Sequence, residues 1–391
     1  MSALVLRLAV TSFTPLAAQI RDDIGFSPTV VGVFGMVPTA MFALFGIATP
    51  YLARWWGLER TALIAMLMAG TGMLLRAMVD DVWSLLALSA LALGGMGIGN
   101  VVVPPLVKRY FSDRLALMSS VYIVGVQIGT IAPAFVAVPL AEAAGWRVSI
   151  AVWAAFGFAA ALPWIAVRLR ARRAEVRGTA TEHHTDHPDQ VRGQAWRSPV
   201  AWGMAAMFGM TSCITYSMFT WIPDILTSAG ASESFGGAMV GVFSFMGLVA
   251  ALGAPSLCAR MTNPFPVVLA CAACYLIGFA GLLLAPMSAP ILWIVIVGLG
   301  PSTFPMSLTL INLRTRTHMG SASLSGFTQG LGYAVACVGP LLFGVFHDVT
   351  GEWGASFGLL TVAVVIVVIG GAQACKPRMM EDSWIAAGRN H

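Results

Sequence analysis

The 391-residue chain is 58% hydrophobic and only 10% charged, with a net charge of +5 and a mean hydropathy of +0.82. A soluble domain carries about 25% charged residues, so this composition excludes a soluble enzyme and a nucleic-acid-binding protein. It also excludes a disordered chain, which needs low hydrophobicity and high charge.

A membrane helix needs about 20 mostly apolar residues. The sequence holds twelve such runs, at about 3–20, 29–53, 60–79, 82–107, 115–140, 146–167, 199–222, 234–258, 265–286, 290–312, 321–346 and 353–374. They are too long for barrel strands. The first begins almost at Met1 and carries Arg7. Arg21-Asp22-Asp23 follows it directly, where a signal peptide would have small residues and a cleavage site. Between the sixth and seventh runs, residues 168–198 are arginine-rich and contain His183-His184-x-x-His187. This stretch reads as a solvated cytoplasmic linker, and its histidines as part of a polar loop rather than a metal site. It divides the chain into one six-helix bundle over 1–167 and a second over 199–374, with a cytoplasmic tail at 375–391.

Basic residues set membrane orientation. With a cytoplasmic N-terminus, Arg54, Arg60, Lys108, Arg109, Arg114, the linker arginines, Arg260, Arg314, Arg316, Lys376, Arg378 and Arg389 all fall inside. The outer loops hold only Arg21 and Arg147. Both termini are therefore expected in the cytoplasm, and the basic balance calls for no acidic partner. Five of the six cysteines lie within spans, with Cys375 just past the last. Cys271-x-x-Cys274 has redox or metal spacing but no other ligand nearby, so it reads as helix packing.

The two halves resemble each other. Gly97, Gly99, Pro104, Gly125, Gly129 and Pro139 match Gly298, Gly300, Pro305, Gly326, Gly330 and Pro340 at one offset. Ile20, Gly25, Ser27 and Pro50 match Ile225, Gly230, Ser232 and Pro255 at a second, nearby offset. Parallel six-helix repeats around a basic central loop describe the two-bundle major facilitator architecture, in which substrate binds near the midplane between bundles that rock.

An ionisable group inside a span is a functional candidate by default. No Asp, Glu or His falls mid-span, and Arg7 is the one deep charge. It either faces substrate or snorkels to the headgroups. Arg76, near the outer end of its helix, is assigned to snorkelling. Ser325, Gln329 and Tyr333 share one face of the eleventh run, and Ser212, Tyr216 and Thr220 one face of the seventh. Asn100 lies in the inner part of the fourth run and Gln127 mid-span in the fifth. Serines and threonines read as interhelical hydrogen bonds. Gln127, Gln329 and Tyr333 read as cavity-facing, since their polar groups need partners at depth. The Gly94-Gly95-x-Gly97-x-Gly99 stretch lacks the Lys-Ser/Thr of a phosphate loop and reads as close helix packing. No nucleophile–base pair, paired carboxylates or metal set can be assembled, so no enzymatic activity and no cofactor are expected.

Several segments resemble the cyanate/nitroimidazole transporter family of the major facilitator superfamily. They are Leu6-Arg7-Leu8-Ala9-Val10-Thr11-Ser12 with Pro15-Leu16; Gly99-Asn100 through Pro104 with Val107-Lys108-Arg109 and Phe111; Ser325-Gly326, Gln329-Gly330-x-Gly332-Tyr333 and Gly339-Pro340-Leu341-Leu342; and His347-Asp348-x-Thr350-Gly351-x-Trp353. Two features depart from the pattern. Only six residues precede Arg7, so the helix is short or the start misassigned. Arg54 stands where the superfamily's loop usually has an Asp. The resemblance implies an all-α, twelve-helix transporter of a small anion or small polar solute, working by alternating access in the inner (plasma) membrane. Arg7, Asn100, Gln127, Tyr216, Gln329 and Tyr333 are the substrate-binding candidates. The expected partners are a small-molecule substrate and the lipid bilayer, with no nucleic acid, and a monomer is expected. The alternative is an exporter of neutral or cationic compounds, although a buried acid that would attract a cation is missing.

Overall fold

The computed structural model describes residues 1–176, 195–316, 318–380 and 382. The first span is broken. Helix α1 (Ser2–Thr11) ends, a 3-10 turn follows at Thr14–Leu16, and α2 (Ala17–Ile24) completes the crossing. The cause is local: the ring of Pro15 would collide with the carbonyl of Thr11, four residues earlier. The first bundle continues with α3 (Pro28–Trp56), α4 (Leu58–Leu75), α5 (Val82–Tyr110), α6 (Leu115–Ala144) and the pair α7 (Trp146–Ala151) and α8 (Ala154–Val176). The second holds α9 (Pro199–Ser228), α10 (Glu233–Arg260) and α11 (Phe265–Leu284). Its last three spans are α12 (Pro290–Leu299) with α13 (Thr303–Leu313), α14 (His318–Ala336) with α15 (Val338–Thr350), and α16 (Gly354–Ala374). A 3-10 turn containing Pro301 joins α12 to α13.

Among the described residues, eleven of these spans are long and apolar enough to cross a membrane. The other, α9, has 30 residues but carries Thr211, Ser212, Thr215, Tyr216, Ser217 and Thr220 in its middle. Those hydroxyls lower its hydropathy, and most are buried. The first and seventh spans outrun their expected ends, reaching Ile24 and Ser228. Helix α8 continues to Val176, into the stretch read as linker. The His183-His184-x-x-His187 cluster lies outside the described residues.

Some of the repeated residues occupy equivalent places. Gly25 and Gly230 both take a positive φ, +81° and +98°, as the chain leaves the first and seventh spans. A residue with a Cβ rarely adopts that conformation. Ser27 and Ser232 then stand at the N-caps of α3 and α10, and the Ser232 hydroxyl accepts the N–H of Phe235 at 3.2 Å. Gly97 lets α5 approach the Met41 carbonyl of α3, with a Cβ there lying 3.0 Å away. Gly298 lets α12 approach Met246 of α10 at 2.8 Å by the same measure. Small residues permit such close helix packing in a bilayer, where apolar burial gives little drive.

The end of the molecule bearing Asp22, Asp80, Asp224, Asp348 and Glu352 is called here the acidic end, and that bearing Arg54, Arg60, Lys108 and Arg109 the basic end. The bundles meet along α6 against α10 and along α3 against α14 and α15. Their close approaches fall in the acidic half: Gly32 against Pro340 and Leu341, Gly35 against Thr220, Gly237 against Val138 and Pro15, and Gly241 against Phe135. The Thr29 hydroxyl also donates to the Asp348 carboxylate across the bundles. Gly247 meets Gln127 at mid-depth. Towards the basic end, Gly46, Gly253 and Gly326 have no atom within 4 Å of where a Cβ would sit. The bundles are thus closed on each other at the acidic end and looser at the basic one.

Candidate functional site

The centre of the interface is built around Arg7 of α1. Its Nη1 donates to the Tyr216 hydroxyl of α9 at 2.9 Å, and its guanidinium carbon lies 4.8 Å from the Phe42 ring centroid. Tyr333 and Tyr122 lie within electrostatic reach of the same guanidinium. Tyr333, of α14, is edge-on to Phe42 at 5.8 Å and to Phe208 at 5.0 Å. Phe42 is also edge-on to Tyr216. Charge and aromatic faces attract through the ring quadrupole, more strongly where water is excluded. The cluster therefore joins Arg7, Phe42 and Tyr122 of one bundle to Tyr216 and Tyr333 of the other. Among the described residues, no carboxylate pairs with Arg7.

The remaining candidates are more dispersed. Gln127 is half-buried on α6, its amide nitrogen 3.2 Å from the Cβ position of Gly247 in the opposite bundle. Gln329 is half-buried on α14 and donates to the Ser325 hydroxyl of its own helix at 2.7 Å. Asn100 is half-buried on α5. Arg7, Tyr216 and Tyr333 thus form one contact group, and Gln127 lies at the same interface. Gln329 shares a helix face with Tyr333, and among the described residues no hydrogen bond joins Asn100 to the group.

Arg76 departs from expectation. It does not reach the headgroups but is 1% exposed, with Nη1 donating to the Ala9 carbonyl at 3.1 Å and Nη2 to the Ser12 hydroxyl at 3.0 Å. The broken first span accounts for this. Its interrupted helix presents acceptors within the bundle, and the guanidinium reaches them in preference to water. Arg314 is also buried, but its donors cap carbonyls of Thr262, Ala374 and Cys375, which is a structural task. Sequence reasoning missed Tyr122 and Phe42 as well. Phe42 carries no polar atom, so a search for polar groups at depth passes over it.

The arrangement can hold negative charge by a fixed cation and orient it by phenol and amide donors. Among the described residues, no group of three or more His, Cys, Asp or Glu side chains could hold a metal. Cys271 and Cys274 are free thiols on α11.

Comparison with known proteins agrees with this layout. The family profile of the Major Facilitator Superfamily matches residues 1–340. An uncharacterized transporter of Bacillus subtilis (strain 168), YycB, is 31% identical over 386 residues, covering 97% of this chain and 92% of that protein. The 2-nitroimidazole transporter of Escherichia coli (strain K12) is 29% identical, covering 97% and 94%. The cyanate transport protein CynX of the same organism is 26% identical, covering 93% and 92%. Among solved structures, a peptide transporter, POT, superposes with a TM-score of 0.71 at 14% identity, covering 96% of this chain and 93% of that one. A bacterial homologue of the human lysosomal transporter Spinster gives 0.69 at 14%, covering 98% and 96%. With the profile spanning most of its length and its twelve spans folded as two bundles of six, the chain belongs to the major facilitator superfamily and is a membrane transporter.

Proposed function

We propose that this transporter carries a small anion or small polar solute, cyanate-like or nitroimidazole-like, between the two bundles by alternating access. The observation that supports this most is Arg7: a cation at mid-depth, at the junction of both bundles, held by a phenol rather than neutralised by a carboxylate. A buried charge without a counter-charge is costly, and an anionic substrate lowers that cost while bound. Arg7 supplies charge. Tyr216, Tyr333, Gln127 and Gln329 supply directional hydrogen bonds, with Asn100 nearer the basic end. Export of a cation would set substrate and Arg7 in repulsion. The proposal includes bundles over 1–167 and 199–374 joined by a cytoplasmic linker over 168–198, with a tail at 375–391. It also includes an inner-membrane location, both termini in the cytoplasm, and a monomer as the working unit. The basic end is then the cytoplasmic side.

Flux into liposomes tests this, with a panel of small anions and nitroimidazoles recovered chemically unchanged. Arg7→Ala should nearly abolish flux of the transported compound, and Arg7→Lys should weaken it, because an ammonium lacks the planar fork of a guanidinium. Unchanged flux in a well-expressed Arg7→Ala protein overturns the role of Arg7.

A further inference from the structure

The hydrogen bond from Arg7 to Tyr216 does not offset its charge while no substrate is bound. The groups within electrostatic reach of the guanidinium are Tyr216, Tyr333 and Tyr122, and a phenol carries no net charge at neutral pH. Among the described residues, no ion pair involves Arg7. Arg7 is half-buried, and Phe42, Tyr216 and Tyr333 around it are 4%, 6% and 7% exposed. Solvent therefore screens the charge only in part. What remains is the Phe42 ring. The guanidinium carbon stands over that ring, 4.8 Å from its centroid, inside the roughly 6 Å over which a ring face attracts a cation. The ring is held in place from other sides. A Cβ on Gly97 would lie 3.4 Å from Phe42 Cδ1, so α5 backs it closely. Tyr216 and Tyr333 meet it edge-on at 6.4 and 5.8 Å. Arg7 and Phe42 both belong to the first bundle, on α1 and α3, whereas Tyr216 and Tyr333 belong to the second, on α9 and α14. Rocking of rigid bundles separates the tyrosines from Arg7 but leaves Phe42 beside it. An anion on Arg7 cancels much of the field that draws the cation to the ring. The ring therefore stabilises the empty carrier more than the loaded one, and anion affinity is lower by that difference.

We propose that Phe42 sets substrate affinity: its ring serves the empty carrier as a partial counter-charge to Arg7, and so keeps anion binding weak enough for release. This rests on the anion reading above and extends it, because Phe42 acts on the substrate through Arg7. A carboxylate in its place would compete outright with an anion. An aliphatic side chain would leave the cation uncompensated and the bound anion hard to dislodge. An aromatic ring lies between these limits, with an attraction equivalent to roughly 2- to 30-fold in affinity.

Replacing Phe42 in the full chain by 4-fluoro-, 3,5-difluoro- and 3,4,5-trifluorophenylalanine tests this, because fluorine drains the ring face while nearly keeping its shape. Thermal unfolding in nanodiscs is titrated with sodium cyanate or sodium nitrate, replacing sodium gluconate at constant ionic strength. Without either anion, Tm should fall in order along the series. The half-saturating anion concentration should also fall in order, by roughly 2- to 30-fold from phenylalanine to the trifluoro ring. Phe42→Leu should move it in the same direction, and cyanate efflux from liposomes should slow as affinity rises. In Arg7→Gln the same fluorine series should leave Tm unchanged. A packing role for Phe42 predicts no ordered trend, since the rings differ little in shape. A half-saturating concentration that stays constant or rises along the series overturns the proposal, as does a Tm trend that persists in Arg7→Gln. If Arg7→Gln does not fold, the order along the series in the native background decides alone. The two proposals fail separately. A native chain that responds to neither anion overturns both, whereas a flat fluorine series in a chain whose flux is lost in Arg7→Ala sinks only this one.

Discussion

Closure at the acidic end includes one contact of backbone on backbone, which makes it testable by adding one methyl group. Gly32 of α3 faces α15 of the other bundle. A Cβ there would lie 2.9 Å from the Pro340 carbonyl oxygen and 3.0 Å from the Leu341 Cα, below the 3.4 Å of ordinary contact. Both neighbours are backbone, so no rotamer change relieves the clash and the bundles must separate by a few tenths of an ångström. Overpacking of this kind costs about 1–3 kcal/mol. The helix-propensity gain of Gly→Ala, about 1 kcal/mol, applies in both conformations and cancels. Gly32→Ala should therefore shift the equilibrium away from the acidic-end-closed state by about 5–150-fold. Ala17, 4% exposed on the wall of a small cavity that Arg76 also lines, serves as a reporter. In a background free of the six native cysteines, Ala17→Cys should react with a membrane-impermeant maleimide applied to the acidic face correspondingly faster in Gly32→Ala. Gly46→Ala, in open space on the same helix, should leave the rate unchanged. A Gly32→Ala protein with lower Tm but unaltered labelling would refute the reasoning, because α3 and α15 would then be a fixed joint and not a gate.

Further outcomes follow from particular contacts. Gly129→Ala drives a methyl into the Leu4 carbonyl within one bundle; it should lower thermal stability by about 1–3 kcal/mol without favouring labelling from either face. Gln329→Ala should raise the half-saturating substrate concentration in liposome flux more than it lowers Tm, whereas a stability loss with unchanged saturation would make Gln329 a packing residue. Asp81 caps α5 by accepting the N–H groups of Ser84 and Trp83 at 2.9 and 3.0 Å, and the Ser84 side chain first, then these N–H groups, hold its carboxyl below the ordinary range. A depressed folded-state value means its stabilisation is full above the unfolded carboxylate value of about 3.9 and is lost as pH falls through the lower folded one. The Tm difference between wild type and Asp81→Ala should accordingly be constant near neutrality and shrink only in strong acid. For a substrate that does not titrate between pH 5 and 8, no proton gradient should drive accumulation through a mid-span carboxylate or histidine. A gradient-driven uptake removed by neutralising one residue within a span would contradict this.

Much of the fold was legible because the signals were cheap to read. Apolar length marks twelve runs, and eleven of the corresponding helices are long and apolar enough to cross a membrane. The glycine matches between the halves mark equivalent helix pairs, α3 with α5 and α10 with α12. At the site, Arg7, Tyr216 and Tyr333 could be singled out because a charge or a phenol within a span needs a partner. Which partners they take depends on how two bundles far apart in sequence are set against each other. No spacing rule within one helix carries that information, so Arg7–Tyr216 and the Phe42 platform emerge only in three dimensions.

Arg76 marks where one-dimensional reasoning about membrane arginines goes astray. Position along a helix suggested snorkelling, and the distance to the headgroups was short enough. The choice, however, is between two sets of acceptors, and only the lipid-facing one is visible from hydropathy. Pro15 supplies the other by interrupting the first span, so that Ala9 and Ser12 offer oxygens to the bundle interior. Once two of its nitrogens are held there, Arg76 can no longer reach water, and its charge stays inside the bundle. The proline and the arginine lie far apart in sequence, on different spans, and read singly they mean a kink and an anchor. Read together, they place a fixed positive charge beside the cavity.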